Sequence, residues 1–360
     1  PAHFHLFKNV IIQLRQHGHN TKILIKKKDV LESLLEKSGF DYLNILPDGR
    51  NNNILGVAWG LLKRDWEIYR ICLDYHPDLL VGTSIAITHV GKIFRIPSIV
   101  VNEDDFDVVP LFSKFSYPFA DCILAPISCN TGKEKGSWKR KTINYKSYHE
   151  LSYLHPNHFQ PKIDVVKKFL GDVTPFFIIR LSNLNAHHDV NKNGINDGIL
   201  MNLVDIFESR GGKVLISTER DLPNNLKNYR ISFPPEYMHH FLAFANLYIG
   251  DSQTMAAEAA VLGTPSIRFN DFVGKIGYLD ELEHRYGLTI GIETSNTDKL
   301  YSTVNELLDM PNSKNEFRYR QKDMLKEKID ASAFMVWFIE NYPASFEIMK
   351  KNPGYQERFH

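Results

Sequence analysis

Short β-branched runs alternate with amphipathic stretches along this chain, twice over, and that alternation restricts the fold more than any other feature. Over residues 22–101 the runs KILIK, YLNIL, DLLVG and PSIVV are separated by helical patterns, among them DVLESLLEK and a long one over about 53–75. Strand, helix and strand in succession build a right-handed βαβ unit, and a series of such units makes a parallel sheet. After residue 172 the alternation restarts with FFIIR, a helix over 196–209, KVLIS, YRISF, a helix over 236–245, LYIGD, a helix over 254–262 and SIRF. Two doubly wound α/β domains follow, and 360 residues exceed what one hydrophobic core usually serves.

The stretch between the two patterns, CNTGKEKGSWKRKTINYKSYHELSYLHPNHFQP, is basic and aromatic and reads as irregular. A short helix, KIDVVKKFL, follows it, which places the domains at 1–165 and 172–330. The final helical segment, 331–360, comes after the second sheet is complete and is open to crossing back onto the first domain. At the other end an apolar-periodic helix begins near residue 5, where an α/β domain normally opens with a strand, so the pattern expects a strand ahead of Pro1.

Charge and composition narrow the partners. Lys plus Arg (43) nearly cancels Asp plus Glu (42), and a net charge of +1 provides no broad field to gather nucleic acid or to coat an anionic membrane. Any phosphate is therefore met by local groups. Three cysteines, Cys72, Cys122 and Cys129, without a CxxC pair argue against a disulfide framework or zinc ribbon and suit a reducing compartment. Every apolar stretch is broken well short of the ~18 residues a spanning helix needs, which leaves peripheral contact with a membrane open.

The sharpest chemical signal is LYIGDSQTMAAEAAVLGTPSIRF, residues 247–269. A strand ends at Gly250, a polar turn through Asp251, Ser252, Gln253 and Thr254 follows, and a helix of small residues begins at once. Its first-turn amides and its dipole make an anion site to which the Ser252 and Thr254 hydroxyls add donors, and a diphosphate suits it. Glu258, one turn after Thr254 on the same face, has the carboxylate geometry to accept both hydroxyls of a ribose. The alternative is a capped helix start at Asp251 and Ser252, a solvated Glu258, and a plain turn at Gly263.

Other candidates sit where predicted parallel strands end, the edge at which α/β sheets hold ligands. The loop SNLNAHHDVNKNG offers Asn185, His187, His188 and Asp189 for ligand contact. A metal site joining these to His239 or His240 would need adjacent histidines to converge, so no protein-bound metal is expected. Glu219 and Arg220 end another strand and border the nucleotide on this reading, while Asp104 and Asp105 follow PSIVV as candidate bases, or as helix caps. Tyr148, His149, Glu150 and His155 either line a ligand site or pack the domains.

The 247–269 segment resembles the nucleotide-binding element of GT-B glycosyltransferases and of non-hydrolysing UDP-N-acetylglucosamine 2-epimerases. The epimerase pattern DSGG-x-x-E-E-A-x-x-LG-x-P is matched at Asp251, Ser252, Glu258, Ala259, Leu262, Gly263 and Pro265, and departs at Gln253 and Thr254, where that family has glycines. PAHFHLF (1–7), YHELSYLHP (148–156), NAHHDV (185–190) and GDSQTMAAEAAVLGTP (250–265) resemble an uncharacterised bacterial and archaeal family, number 354 among the domains of unknown function. That family is itself similar to GT-B enzymes and carries a strand and Gly-His before Pro-Ala-His.

The resemblance implies a GT-B-like α/β fold of two Rossmann-like domains with parallel sheets facing a cleft. It implies no cofactor, a nucleotide-sugar substrate, UDP-linked by analogy, and a sugar or lipid-linked acceptor. His3, at the point where GT-B enzymes place an acceptor-side loop, becomes a candidate general base; His5 reads equally as a half-buried helix residue. The leading expectation is a metal-independent glycosyltransferase of surface polysaccharide or glycolipid assembly, cytoplasmic or at the inner membrane face. An epimerase-like enzyme and a binding protein without chemistry are the alternatives.

Overall fold

The structure, a computed structural model, describes residues 2–26, 31–47, 54–132, 137–172, 175–182 and 194–360. The chain divides into two compact units, Pro1–Tyr153 together with Ile329–His360, and Leu154–Lys328.

The first unit contains α1 (Ala2–Gln16), β1 (Ile23–Lys26), α2 (Leu31–Lys37), β2 (Tyr42–Leu46), α3 (Ile54–Tyr75), β3 (Leu80–Gly82), α4 (Ile85–Phe94), β4 (Ser98–Val101), α5 (Pro110–Ser116), β5 (Cys122–Pro126) and β6 (Thr142–Tyr145). Its four-stranded sheet runs β3-β4-β5-β6, all parallel, while β1 and β2 form a parallel pair of their own. Every residue of β4 and β5 is buried, as expected of strands covered on both faces. One face packs Ile99, Val101, Leu124 and Ile143 against Leu6, Val10 and Leu14 of α1. The other lays Val100 and Ile123 on Tyr117 and Ala120.

The same unit takes back the end of the chain. Ile329 donates its amide to the Lys146 carbonyl at 2.9 Å, and Ser147 Oγ donates to the Ile329 carbonyl at 2.6 Å. The helix Ala331–Glu340 starts on an Asp330 cap that accepts the Ala333 amide, then buries Phe334, Met335 and Phe338 beside α1. A nearly all-apolar helix of this kind needs cover on most sides, which a sheet face and α1 supply.

After the short α6 (Leu151–Leu154), the second unit contains α7 (Ile163–Leu170), β7 (Phe176–Leu181), α8 (Asp197–Ser209), β8 (Lys213–Thr218), α9 (Met238–Phe244), β9 (Leu247–Gly250), α10 (Gln253–Val261), β10 (Ser266–Phe269), α11 (Gly277–Asp280), β11 (Ile290–Ile292), α12 (Thr297–Asp309) and α13 (Ser313–Glu327). Its parallel sheet has the order β11-β10-β9-β7-β8. The chain moves outward from β7 in one direction to β8 and in the other to β9, so the topological switch lies between β7 and β9. Open α/β sheets bind ligands at the carboxyl ends of the strands flanking that point.

Two readings of the sequence need correction. Within the central stretch taken as irregular, Thr142–Tyr145 is strand β6, whose short TINY run is held by four parallel pairings to β5. The run YRISF is not a strand: 224–229 coil into a 3-10 helix, and a single bridge joins Arg230 to Ile216. Phe233 instead stacks on Phe241 of α9 at 3.6 Å, and Pro234, with no amide to donate, ends any further pairing. All three cysteines are buried free thiols.

Candidate functional site

At the switch point of the second unit, the ends of β7 and β9 are tied together. Asp251, just past β9, accepts the Ser182 amide at 2.6 Å, just past β7. Burial pushes the Asp251 carboxyl up from its ordinary value, against the pull of the Ser182 bonds and of Arg220 and Arg180. The close approach requires glycine at 250, because a Cβ there would stand 2.8 Å from Arg180 Cβ and 2.9 Å from the Arg180 carbonyl. Asp251 therefore shapes the turn.

From that turn α10 departs. Ser252 is its N-cap and its hydroxyl oxygen accepts the Met255 amide at 3.4 Å, so the capping reading holds for Ser252 while its own proton stays available to donate. Gln253 and Thr254, both half-buried, fill the first turn, whose amides have no intrahelical acceptor. The helix is fully buried from Ala256 to Val261, and its alanines let it lie tight against β9 and β10. Gly263, at φ +74°, ends it in a left-handed residue that only glycine adopts without strain.

Glu258 is not the solvated helix residue of the bland reading. It is buried, and its Oε1 lies 3.1 Å from His239 Nε2 on α9. The neighbouring His240 instead has Nδ1 accepting the Lys162 amide at 3.1 Å, while both rings pack against Phe159. The adjacent histidines thus have different polar partners. Sequence reasoning singled out Glu258 but not His239 as its mate; α9 carries no spacing signal that links the two.

The remaining candidates of this unit divide. Glu219, half-exposed, is paired with Arg180, and Arg220 reaches the Ile195 carbonyl and Asp197 at the start of α8. Both close off the β8 end of the sheet, the side of β7 opposite β9. Asn185, His187, His188 and Asp189 lie outside the described residues.

In the first unit, the expected residues gather at the carboxyl ends of neighbouring strands. His3, exposed at the start of α1, has Nδ1 3.2 Å from Thr83 Oγ1 beyond β3. Beyond β4, Asp105 is buried and its carboxylate accepts the Asn130 amide. Asp104 is half-buried, and its carbonyl accepts Asn102 Nδ2 at 2.7 Å.

Sequence reasoning missed the residue beside them. Glu103 Oε2 lies 3.2 Å from His149 Nδ1, and both side chains are largely buried. Among the described residues, Glu103 Oε2, His149 Nε2 and the Tyr145 hydroxyl have no hydrogen-bond partner. Burial, reinforced by the Asp104 charge, raises the Glu103 carboxyl well above its usual range, while burial pushes His149 down to about 3. Cys129 Sγ donates to the Glu103 carbonyl at 2.7 Å, and burial holds it as a thiol. The ends of β4, β5 and β6 therefore bring together a carboxyl and an imidazole that burial shifts toward their uncharged forms, a pairing suited to proton transfer. The acidic run 103–105 was legible in the sequence; which of its carboxylates is withdrawn from water was not.

The profile of the family described as protein of unknown function (DUF354) matches residues 1–327. No curated protein matches the chain in sequence. Among solved structures, the S. aureus MnaA–UDP co-structure superposes at TM-score 0.66 and 14% identity over 96% of this chain and 95% of its own. A Methanocaldococcus jannaschii UDP-GlcNAc 2-epimerase in complex with UDP-GlcNAc and UDP gives TM-score 0.62 at 16% identity, over 88% and 95%. The spinosyn rhamnosyltransferase SpnG gives 0.61 at 15% identity, over 95% and 97%. At such identities the likeness shows the fold, which is GT-B-like α/β with parallel sheets.

Proposed function

Since the chain belongs to the DUF354 family of proteins of unknown function, we propose from its fold and its two strand-end clusters that it is a nucleotide-sugar-dependent glycosyltransferase of GT-B type. The observation that carries this reading is Glu258, buried on α10 one turn behind an N-terminus at the switch point of a five-stranded parallel sheet. The α10 mouth receives the diphosphate, with Ser252, Gln253 and Thr254 around it, and Glu258 accepts the ribose hydroxyls with His239 orienting its carboxylate. The structures solved with UDP share the fold, which makes UDP the first nucleotide to try.

On this reading the acceptor hydroxyl attacks the anomeric carbon as the bond to the diphosphate breaks. The acceptor proton passes to a base in the first unit, for which His3 and Asp104 are the candidates. The charge on the departing diphosphate is spread over the α10 amides, and no protein-bound metal is invoked. Asn185, His187, His188 and Asp189, which follow β7 in sequence, are further candidates for contact with the donor. The acceptor is a sugar or lipid-linked sugar of surface polysaccharide or glycolipid assembly at the cytoplasmic face of a membrane.

A second reading rests on a specific observation, the Glu103–His149 pair. Epimerisation at carbon 2 of a UDP-sugar takes a proton from the sugar and returns one, which suits a donor and an acceptor side by side. Incubation with UDP-sugars, followed by NMR of the sugar and assay of released UDP, separates the two. Transfer releases UDP only in the presence of an acceptor; epimerisation yields a new sugar without one. Failure of UDP and every UDP-sugar to raise the melting temperature would remove both.

A further inference from the structure

The first unit carries an apolar face that the rest of the described chain leaves bare. On α3, Trp59, Leu62, Trp66 and Leu73 recur at helical spacing along one stripe and are 71%, 60%, 60% and 46% exposed. Ile93 of α4, Leu111 and Phe115 of α5, and Phe119 just beyond extend it. Isolated exposed apolar residues are ordinary, whereas a contiguous set with two tryptophans marks an interaction surface.

His89 ties the three helices together beneath this face. His89 on α4 places Nδ1 3.0 Å from Asp65 of α3 and Nε2 2.9 Å from the Phe115 carbonyl of α5, with the Phe119 ring packed edge-on against it. Tyr69 bridges as well, between Trp66 at 5.6 Å and Phe94 at 4.9 Å. The face is preformed.

Charge selects the partner. Two of the acids on α3 are engaged, Asp65 with His89 and Glu67 with Arg70, and Asp121 ahead of β5 pairs with Lys92, which leaves exposed Asp74 at the far end of α3 as the one acid of these three helices outside an ion pair among the described residues. Exposed Arg95 caps the end of α4 and exposed Lys114 lies on α5, and exposed Lys139 and Arg140 follow on a 3-10 turn whose Lys141 is bonded to the Pro118 and Ala120 carbonyls beside Phe119. None of these four side chains is in an ion pair among the described residues. A symmetric pairing of two copies through this face would set like-charged rims together, whereas an anionic lipid surface neutralises them and takes up the tryptophans at its interface.

We infer that the exposed stripe of α3 with Ile93, Leu111, Phe115 and Phe119 docks this protein on an anionic bilayer surface, the Arg95, Lys114, Lys139 and Arg140 side chains meeting the headgroups. The inference does not depend on the proposed chemistry, because docking needs no nucleotide. Co-sedimentation of the full chain with vesicles of phosphatidylcholine alone, or with phosphatidylglycerol added, tests it. Binding is expected only to the anionic vesicles and is lost in high salt. The double variant Trp66→Ser/Phe115→Ser abolishes it, and Lys139→Glu/Arg140→Glu weakens it at least about 20-fold, from roughly fivefold per basic residue near the surface. Because all four positions are exposed or half-exposed, melting temperature and any response to UDP remain those of the parent. Absence of binding to anionic vesicles, or binding that both variants retain, overturns the inference. So does a dimer in the parent that becomes a monomer in Trp66→Ser/Phe115→Ser, which would make the face a contact between copies.

Discussion

His239 Nε2 approaches Glu258 Oε1 to 3.1 Å, joining α9 to α10 directly behind the turn that starts at Asp251. Both side chains are nearly withdrawn from water, so the carboxylate is held in one orientation rather than sampling many. If it clasps a ribose, Glu258→Ala removes charge-assisted hydrogen bonds of about 1.5–3 kcal/mol, or roughly 10- to 150-fold in the Kd for UDP. His239→Ala, which leaves the carboxylate in place but unoriented, loses less. Calorimetric titration with UDP checks both, and unchanged affinity in Glu258→Ala would defeat the donor-site assignment.

On the epimerase reading, Glu103 and His149, which belong to the other unit, serve the chemistry rather than nucleotide affinity. Glu103→Gln keeps shape and hydrogen bonding but cannot give up a proton. Turnover is expected to fall by about 10²- to 10⁴-fold with UDP affinity unchanged. A fall in UDP affinity instead would show that the pair does not have this separate role.

Protonation of His89 is linked to the stability of the first unit. Its hydrogen bond to Asp65 is the largest influence raising the imidazole above its ordinary value, and burial opposes it. The charged ring thus contributes stability that is fully present below the unfolded-state value near 6.5 and is lost as pH rises through the higher folded value. The melting temperature is expected to drop between about pH 6 and 8, and Asp65→Asn should flatten that slope.

Arg268 is fully buried on β10, donating to Glu283 at 2.6 Å, and Glu283 also accepts the Gly291 amide at 2.9 Å. Glu283→Ala strands a buried guanidinium and should cost about 3–5 kcal/mol, seen as a fall of roughly 10 °C in the melting transition. The double variant Arg268→Met/Glu283→Leu, which removes both charges, should recover most of the loss. Thermal denaturation followed by circular dichroism decides this, and a double variant no better than the single one would contradict the ion-pair account.

The run lengths of β-branched residues and the helical spacing between them were enough to read most strands and helices, because each reports only on its own neighbourhood. FFIIR, LYIGD and SIRF read as buried parallel strands from composition alone, and the turn from Gly250 into α10 was visible in its residue types. YRISF had the same local character as those strands and failed, since the decisive event, Phe233 stacking on Phe241, lies on a different element. TINY failed in the opposite sense, too short to signal a strand until β5 offered it an edge.

What a residue does at a strand end was beyond the sequence wherever it depended on burial. Glu103, Asp104 and Asp105 are consecutive carboxylates with identical local claims; the fold puts Asp105 on a loop amide and Glu103 beside His149. The pairing of Glu258 with His239 spans two helices, and the exposed stripe of α3 looks like core until neighbouring helices are placed. Periodicity is a property of the chain and therefore legible in it, whereas desolvation and contact belong to residues far apart in sequence, and only their arrangement in space creates them.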